Sequence, residues 1–317
     1  MMKYYLGIDI GGTAVKLGLV DEAGSVCAQM ERPVNFDGYK TPILDTVCKA
    51  AAQFLQERSI AAASLAGCGV SATGQIDSKN GVVAGTCGSL PGWEGSPLRA
   101  SLEELLHLPV TVANDANCMC LGEAWVGAAK GCREVIGITI GTGLGGGILT
   151  GGRLLEGASG LAGELGHMRI HAGTGIACTC GGAGCWERYA ATTALVRALQ
   201  KENPELDDGR KIFAAAKDGN PAVCRQIDAW LNELAFGLIG LVHLFNPQII
   251  LVGGGVSAQQ DLLIDPLREK VVSGVMPAFA AVALRAAALR NTAGLVGAVA
   301  YYISKERQGD IGMMSRK

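Results

Sequence analysis

Aromatic residues and charges are both scarce in this chain. Phe, Trp and Tyr together supply 5% of its 317 residues, charged residues supply 18%, and the formal net charge is −2. Without a basic excess, the composition gives no electrostatic reason to expect nucleic acid or an anionic membrane as a partner. No run of 18 apolar residues occurs, so the sequence predicts no transmembrane helix.

The N-terminal residues also lack the pattern of a secretory signal peptide, because Asp9 interrupts their first apolar stretch. We therefore expect a cytoplasmic protein with reduced thiols, in which clustered cysteines bind metal rather than form disulfides. Hydrophobic residues make up 49% of the chain, which excludes intrinsic disorder. A length of 317 residues suits two domains of ordinary size.

Glycine, by contrast, is abundant, with 46 residues. Residues 4–20 and 135–155 each read as a strand, a Gly/Thr turn and a second strand. This repetition suggests two α/β halves that each open with a hairpin, although glycine-rich hairpins are also common without duplication. Further helices are predicted over 41–58, 116–131, 222–245 and 294–305 and from Ala258 onward, and further strands over 65–71, 108–115 and 248–257.

No Walker A pattern occurs, so any phosphate site must be built differently. Gly141–Gly146 matches G-x-G-x-x-G, and Glu164 follows where a dinucleotide fold places its ribose carboxylate. We reject that interpretation because β-like residues, not a helix, follow the glycines. The backbone N–H groups of the hairpin turns at Asp9–Thr13 and Gly141–Gly146 could instead face one phosphate chain, although each could also be only a tight turn. Asp9 beside such a loop suits Mg²⁺ held through water.

A second candidate is Asp115, which ends a predicted strand and precedes a helix. Ligands of open α/β sheets gather at the carboxyl ends of strands. An aspartate with an ordinary pKa of about 3.9 is ionised at neutral pH and can accept a proton from a hydroxyl group. The alternative is that Asp115 only caps the following helix.

The most specific local pattern combines one histidine with three cysteines, His167, Cys178, Cys180 and Cys185. Three thiolates and one imidazole form a closed set of four ligands, which suits a tetrahedral structural Zn²⁺. His171 is the rival fourth ligand, and free cysteines are the alternative to zinc.

Two carboxylates flank this cluster. Glu164 precedes His167 by three residues, and Glu187 follows Cys185 by two. If zinc fixes both flanks, the pair could hold vicinal hydroxyl groups; without the metal, two solvated acids are the simpler interpretation. Gly253–Gly255 follow a strand, and their N–H groups could face a nucleotide or form a plain turn.

Taken together, these motifs resemble the ROK family of bacterial sugar kinases and repressors, within the actin-like superfamily. The resemblance spans nearly the whole chain and is carried by DIGGTAVKLG (9–18), NDAN (114–117), IGTGLGGGI (140–148), GELGH (163–167), CTCGGAGCWE (178–187) and LVGGGV (251–256). It implies an α/β fold of two actin-like (ribonuclease H-like) domains around a cleft. The first domain would contain residues 1–115 plus about 295–317, and the second would contain residues 116–294 with the zinc loop.

The resemblance also implies a role for each matching residue. Asp115 would be the general base. The sugar hydroxyls would be bound by Asn114, Glu164, His167 and Glu187, and the structural Zn²⁺ by His167, Cys178, Cys180 and Cys185. ATP phosphates and Mg²⁺ would be held by Asp9, Gly11, Gly12, Thr13, Lys16, Gly141, Thr142, Gly143 and Gly145, and adenosine would face Gly253, Gly254 and Gly255.

The implied function is ATP-dependent phosphorylation of a hexose primary hydroxyl, with glucose as the expected acceptor and a homodimer as the expected assembly. Two positions depart from the family pattern, because Ser89 stands where family glucokinases often have Asn and Thr73 where Pro is frequent. N-acetylmannosamine, N-acetylglucosamine or a β-glucoside is therefore an alternative acceptor. Family repressors carry an extra N-terminal helix-turn-helix, and a first strand at Tyr4 favours the kinase branch. A non-catalytic sugar sensor and a dehydrogenase are the rival functions.

Overall fold

A computed structural model describes residues 2–86, 90–171, 173 and 175–306. The chain divides into two compact units. The first contains the described residues of Met1–Arg133, Leu149–Gly163 and Leu289–Lys317, and the second contains those of Glu134–Ile148 and Glu164–Ala288.

The described residues form twelve strands and nine α-helices. The strands are β1 (Tyr4–Ile10), β2 (Ala14–Asp21), β3 (Val26–Pro33), β4 (Cys68–Ala72), β5 (Gln75–Asp77), β6 (Val82–Gly85), β7 (Val110–Asn114), β8 (Val135–Ile140), β9 (Leu144–Thr150), β10 (Arg153–Leu154), β11 (Ile249–Gly253) and β12 (Ala283–Ala286). The helices are α1 (Ile43–Glu57), α2 (Leu98–Leu106), α3 (Asp115–Trp125), α4 (Glu187–Ala190), α5 (Thr192–Leu199), α6 (Gly209–Lys217), α7 (Pro221–Phe245), α8 (Asp265–Gly274) and α9 (Ala293–Glu306).

Two five-stranded sheets share one strand order. The first runs β3-β2-β1-β4-β7 and the second runs β10-β9-β8-β11-β12. In the first, β2 is antiparallel to β1 and β3, whereas β4 is parallel to β1 and β7. In the second, β11 is parallel to β8 and β12. A common order with a hairpin at one side is what the duplication hypothesis predicts, and the mixed α/β class is confirmed.

Apolar periodicity explains how helices cover the first sheet. Helix α1 buries Val47, Ala51 and Phe54 at helical spacing. The central strands β1 and β4 are buried along most of their length, as expected of strands covered on both faces. Helix α9 packs against β1, β4 and α3.

The structure corrects three boundaries of the sequence analysis. Helix α3 ends at Trp125 rather than Gly131, because the buried Glu123 carboxylate accepts hydrogen bonds from the backbone N–H groups of Ala128 (2.7 Å) and Leu289 (2.6 Å). The same helix groups with the first unit, since it packs on α9, and so do residues 149–163, whereas the sequence predicts a second domain of residues 116–294. The helix predicted from Ala258 begins with a π-helical turn at Gln260–Ile264 and becomes α-helical only at α8.

Helix α7 is, among the described residues, the one helix long and apolar enough to span a membrane by length and composition. Half of its most apolar window is buried within the protein, and it packs against α4, α5, α6 and α8. Because Pro221 occupies its first turn and Asn220 caps it, its start is also that of an ordinary helix. These contacts are those of a core helix.

The crossing of α3 and α9 predicts a large stability effect at Gly297. A Cβ atom there would lie 1.7 Å from the carbonyl oxygen of Cys118, so the helices would have to separate. We expect Gly297→Ala to lower the free energy of unfolding by at least about 2 kcal/mol, measured from urea midpoints. Gly240→Ala is the control, because a Cβ there would have no described atom within 4 Å and the substitution should be neutral or stabilising by up to about 1 kcal/mol. Equal midpoints for the two variants would contradict the close crossing.

Candidate active site

The predicted site residues of the first unit gather at the carboxyl ends of β1, β4 and β7. The strand registers align Ile10 with Ala72 and Ala72 with Asn114, so the three strands end together. The hairpin glycines follow β1, and Asp115 follows β7. This edge is where open α/β sheets bind ligands.

Asp9 lies between two polar partners on neighbouring strands. The register pairs it with Lys16 on β2 and with Ser71 on β4. The Ser71 hydroxyl donates to Asp9 Oδ1 (2.7 Å), and Lys16 Nζ lies 3.7 Å from Asp9 Oδ2. Burial raises the pKa of Asp9, and both partners oppose that rise. A largely buried carboxylate at a glycine turn fits a magnesium ion held through water.

The first glycine hairpin directs its carbonyl groups inward. Tyr39 donates its hydroxyl to the carbonyl of Gly12 (2.7 Å), and Val34 N–H donates to that of Thr13 (2.9 Å). Within the described part of the chain, the N–H groups of Gly12 and Thr13 donate to no other residue. Two consecutive free N–H groups form a concavity suited to an anion.

Asn114, rather than Asp115, caps helix α3. The Asn114 side-chain oxygen accepts from the N–H groups of Ala116 (2.9 Å) and Asn117 (3.2 Å), and its Nδ2 donates to the carbonyl of Gly74 (3.0 Å). Asp115 Oδ1 also accepts from Ala116 N–H (2.9 Å). The capping role that the sequence analysis considered for Asp115 is therefore filled mainly by Asn114. One amide hydrogen of Asn114 remains available to a ligand.

The second glycine hairpin repeats this geometry with different partners. The backbone N–H of Thr192 donates to the carbonyl of Gly141 (3.0 Å), and the Thr193 hydroxyl donates to the carbonyl of Thr142 (2.8 Å). The N–H groups of Thr142 and Gly143 donate to no other described residue. A strand, β9, follows, which agrees with the rejection of the dinucleotide fingerprint.

The predicted zinc ligands form a compact cluster. The candidate ligand atoms of His167, Cys178, Cys180 and Cys185 all lie within 4.8 Å of one another. Sγ of Cys180 and Sγ of Cys185 are 3.6 Å apart, and Cys178 Sγ lies 3.7 Å from His167 Nδ1. Tetrahedral zinc with bonds of about 2.0–2.3 Å places its ligand atoms about 3.5–3.8 Å apart. The backbone N–H of Gly182 lowers the pKa of Cys180 to about 7, whereas burial raises the pKa of Cys178 and Cys185. The donor set and spacing therefore fit zinc.

His167 can serve both roles that the sequence analysis gives it. Its Nδ1 faces Cys178, whereas its Nε2 lies 3.9 Å from Glu164 Oε2. Burial raises the pKa of Glu164, and the nearby Glu187 charge adds to the rise while His167 opposes it. The Cys178 thiol also donates to Glu187 Oε1 (3.2 Å), so both predicted sugar-binding carboxylates border the cluster.

Glycine packing joins the remaining elements of the second unit. A Cβ at Gly143 would lie 2.9 Å from Glu187 Oε2, and one at Gly146 would lie 2.4 Å from Leu165 Cγ. Gly254 has φ of +93°, and a Cβ there would meet the carbonyl of Ile140. The hairpin, the flanking carboxylates and the Gly253–Gly255 turn are therefore neighbours.

Several residues of this arrangement escaped the sequence analysis. Ser71, Tyr39 and Thr193 position Asp9 and the two hairpins from distant points in the chain, and only the register of β4 with β1 could have indicated the first of them. Trp93 donates its indole N–H to the carbonyl of Thr73 (2.9 Å). Ser89 lies outside the described residues.

Two sheets of one strand order, each with a glycine hairpin at a strand end, define the actin-like two-domain fold. The sequence profile of the ROK family matches residues 5–305, and the chain belongs to that family. Glucokinases of Thermotoga maritima and Streptomyces coelicolor are 35% and 37% identical to it, over 96% and 94% of this chain and 98% and 96% of theirs. A solved Streptomyces griseus ROK glucokinase, in complex with glucose and AMPPNP, has a TM-score of 0.81 and 34% identity, covering 96% of this chain and 100% of that one.

Proposed function

We propose that the protein transfers the γ-phosphoryl group of ATP to the primary hydroxyl of glucose. It is an ATP-dependent sugar kinase, and its similarity to glucokinases over nearly the whole chain supports glucose as the acceptor. The observation that carries the proposal is the pair of free N–H groups repeated at the tips of both glycine hairpins. The homodimer and the cytoplasmic location stay predictions.

The two glycine hairpins bind and orient the nucleotide. Gly12, Thr13, Thr142 and Gly143 donate backbone hydrogen bonds to phosphate oxygens, and Gly253–Gly255 face the adenosine. Asp9 would hold Mg²⁺ through water, and the ion would neutralise charge on the phosphates. Because the transition state of phosphoryl transfer is loose, alignment and charge neutralisation supply most of the catalysis.

Asp115 orients the acceptor and takes its proton. The sugar oxygen attacks the γ-phosphorus while its proton moves to the Asp115 carboxylate, and the bond from phosphorus to the bridging oxygen breaks to release ADP. Glu164, His167 and Glu187 hold the ring hydroxyls, and Asn114 offers its free amide hydrogen. His167 with Cys178, Cys180 and Cys185 would hold zinc, which would stabilise the loop that carries these carboxylates.

A sugar panel tests the acceptor. ADP release is measured with glucose, N-acetylmannosamine, N-acetylglucosamine, fructose, allose and a β-glucoside at a fixed ATP concentration. We expect the highest kcat/KM with glucose. A higher kcat/KM for an N-acetyl sugar or a glucoside would contradict the glucose assignment and would direct attention to Ser89 and Thr73.

Thr193 provides a separate test of the second hairpin. Thr193→Val removes the hydroxyl that holds the Thr142 carbonyl, so the adjacent N–H groups lose their fixed direction. We expect KM for ATP to rise about 2–10-fold, the equivalent of one neutral hydrogen bond, while the dissociation constant of glucose stays unchanged. Thr193→Ser keeps the hydroxyl and should restore KM. A Thr193→Val enzyme with normal KM for ATP would contradict this role.

A further inference from the structure

The second unit contains a basic pocket that the proposed reaction does not use. It has a volume of about 300 Å³, lies among α4, α5 and α7, and is lined by Arg188, Arg197 and Lys201. Leu195 and Trp230 supply apolar wall. Such a volume is at the small end of ligand pockets in proteins.

The three cations of this basic pocket have no acidic partner among the described residues. Among the residues that the structure describes, the buried Nε of Arg188 has no hydrogen-bond partner, and Arg197 donates to the backbone carbonyl of Arg188 rather than to a carboxylate. Glu233 also lines the pocket, but its Oε2 lies 2.8 Å from His171 Nε2. Three positive charges therefore face one carboxylate that is already engaged.

Placing these charges together is unfavourable without a counter-ion. Burial lowers the pKa of Arg197, and the positive charge of Arg188 lowers it further. A guanidinium group remains charged under physiological conditions, so the protein cannot relieve the repulsion by losing a proton. A bound dianion would relieve this repulsion.

We propose that this basic pocket binds one small phosphoryl dianion, either inorganic phosphate or a small phosphomonoester. Arg188 and Arg197 donate hydrogen bonds to its oxygens, because the planar guanidinium matches phosphate geometry. Lys201 adds a third charge at the exposed rim. Leu195 and Trp230 leave room for only a short carbon chain on an ester.

Calorimetric titration of the full chain with inorganic phosphate, and separately with glycerol phosphate, tests this proposal. Excess ADP and Mg²⁺ occupy the proposed nucleotide site, and the ionic strength is held constant with chloride. We expect one phosphate per chain, with at least about tenfold weaker binding in both Arg197→Met and Lys201→Met. Arg210→Met is the matched control, because Arg210 lies on α6 and its side chain is 94% exposed.

Tighter binding of glycerol phosphate than of phosphate identifies an ester as the ligand, and equal binding identifies the phosphoryl group alone; both support the pocket. Absence of saturable binding overturns the proposal. Equal affinity in the parent, both pocket variants and the Arg210 control also overturns it, as does equally tight binding of acetate. Two pocket variants are used so that misfolding of one does not decide the result. Near-ultraviolet circular dichroism checks that each variant is folded.

Discussion

Replacement of Asp115 by alanine is expected to lower kcat by about 10²–10⁴-fold and to leave the dissociation constant of glucose nearly unchanged. The carboxylate acts on the proton that leaves the acceptor as the new bond forms, so its contribution is confined to the transition state. Single-turnover kinetics with ATP and equilibrium binding of glucose measure the two quantities separately.

Asp115→Asn and Asp45→Ala complete this experiment. The asparagine variant keeps the size of the side chain but removes its basicity, so it should lose nearly as much activity as the alanine variant. Asp45 lies in the first turn of α1, as Asp115 does in α3, so its replacement removes a comparable helix-end charge without touching the site. Near-normal turnover by the Asp115→Ala enzyme, or a similar loss in Asp45→Ala, would show that Asp115 is not the base.

Loss of the zinc cluster is the second large effect. Cys180→Ser should reduce bound zinc to below the expected one ion per chain. Loss of a residue that only hydrogen-bonds to a metal ligand typically weakens metal affinity by ~10–100-fold, and we expect loss of the ligand Cys180 itself to weaken it more. Because the cluster fixes the segment between Glu164 and Glu187, we also expect a lower thermal midpoint and a higher KM for glucose.

Cys224→Ser is the matched control for this variant. Cys224 is also an exposed free cysteine of the second unit, but it lies on α7 outside the cluster. Metal content by mass spectrometry and melting curves should be normal for Cys224→Ser and altered only for Cys180→Ser. A metal-free preparation with full activity and an unchanged melting temperature would contradict a structural zinc.

The hairpins, the long helices and the zinc ligands could be predicted from local sequence patterns. Each of these features depends on residues close together in the chain, such as the glycines of Gly11–Thr13 or the cysteine spacing after His167. The corrected helix boundary, by contrast, depends on a contact between residues far apart in the chain. Helix α3 stops at Trp125 because Glu123 binds the N–H of Leu289, more than 160 residues away in the chain, and no local pattern encodes that contact.

The same limit applies to the candidate site. Sequence spacing could nominate Asp9, but only the register of β1 with β4 brings Ser71 to it. Likewise, the sequence could not indicate that the Thr193 hydroxyl binds the Thr142 carbonyl, because this contact depends on the packing of α5 against the second hairpin. The division of roles between Asn114 and Asp115 could not be read locally either, since both residue types cap helices and only coordinates show that Asn114 does so.

Transfer of a labelled γ-phosphoryl group from ATP to glucose is the reaction to measure. The purified protein is incubated with glucose, Mg²⁺ and ATP labelled at the γ-phosphorus, and the products are separated and identified by NMR. We expect the label to move to the oxygen on carbon 6 of glucose, with one ADP formed for each phosphorylated sugar. Binding of glucose with no transfer of label, as in a sensor, or transfer to water alone, would contradict it.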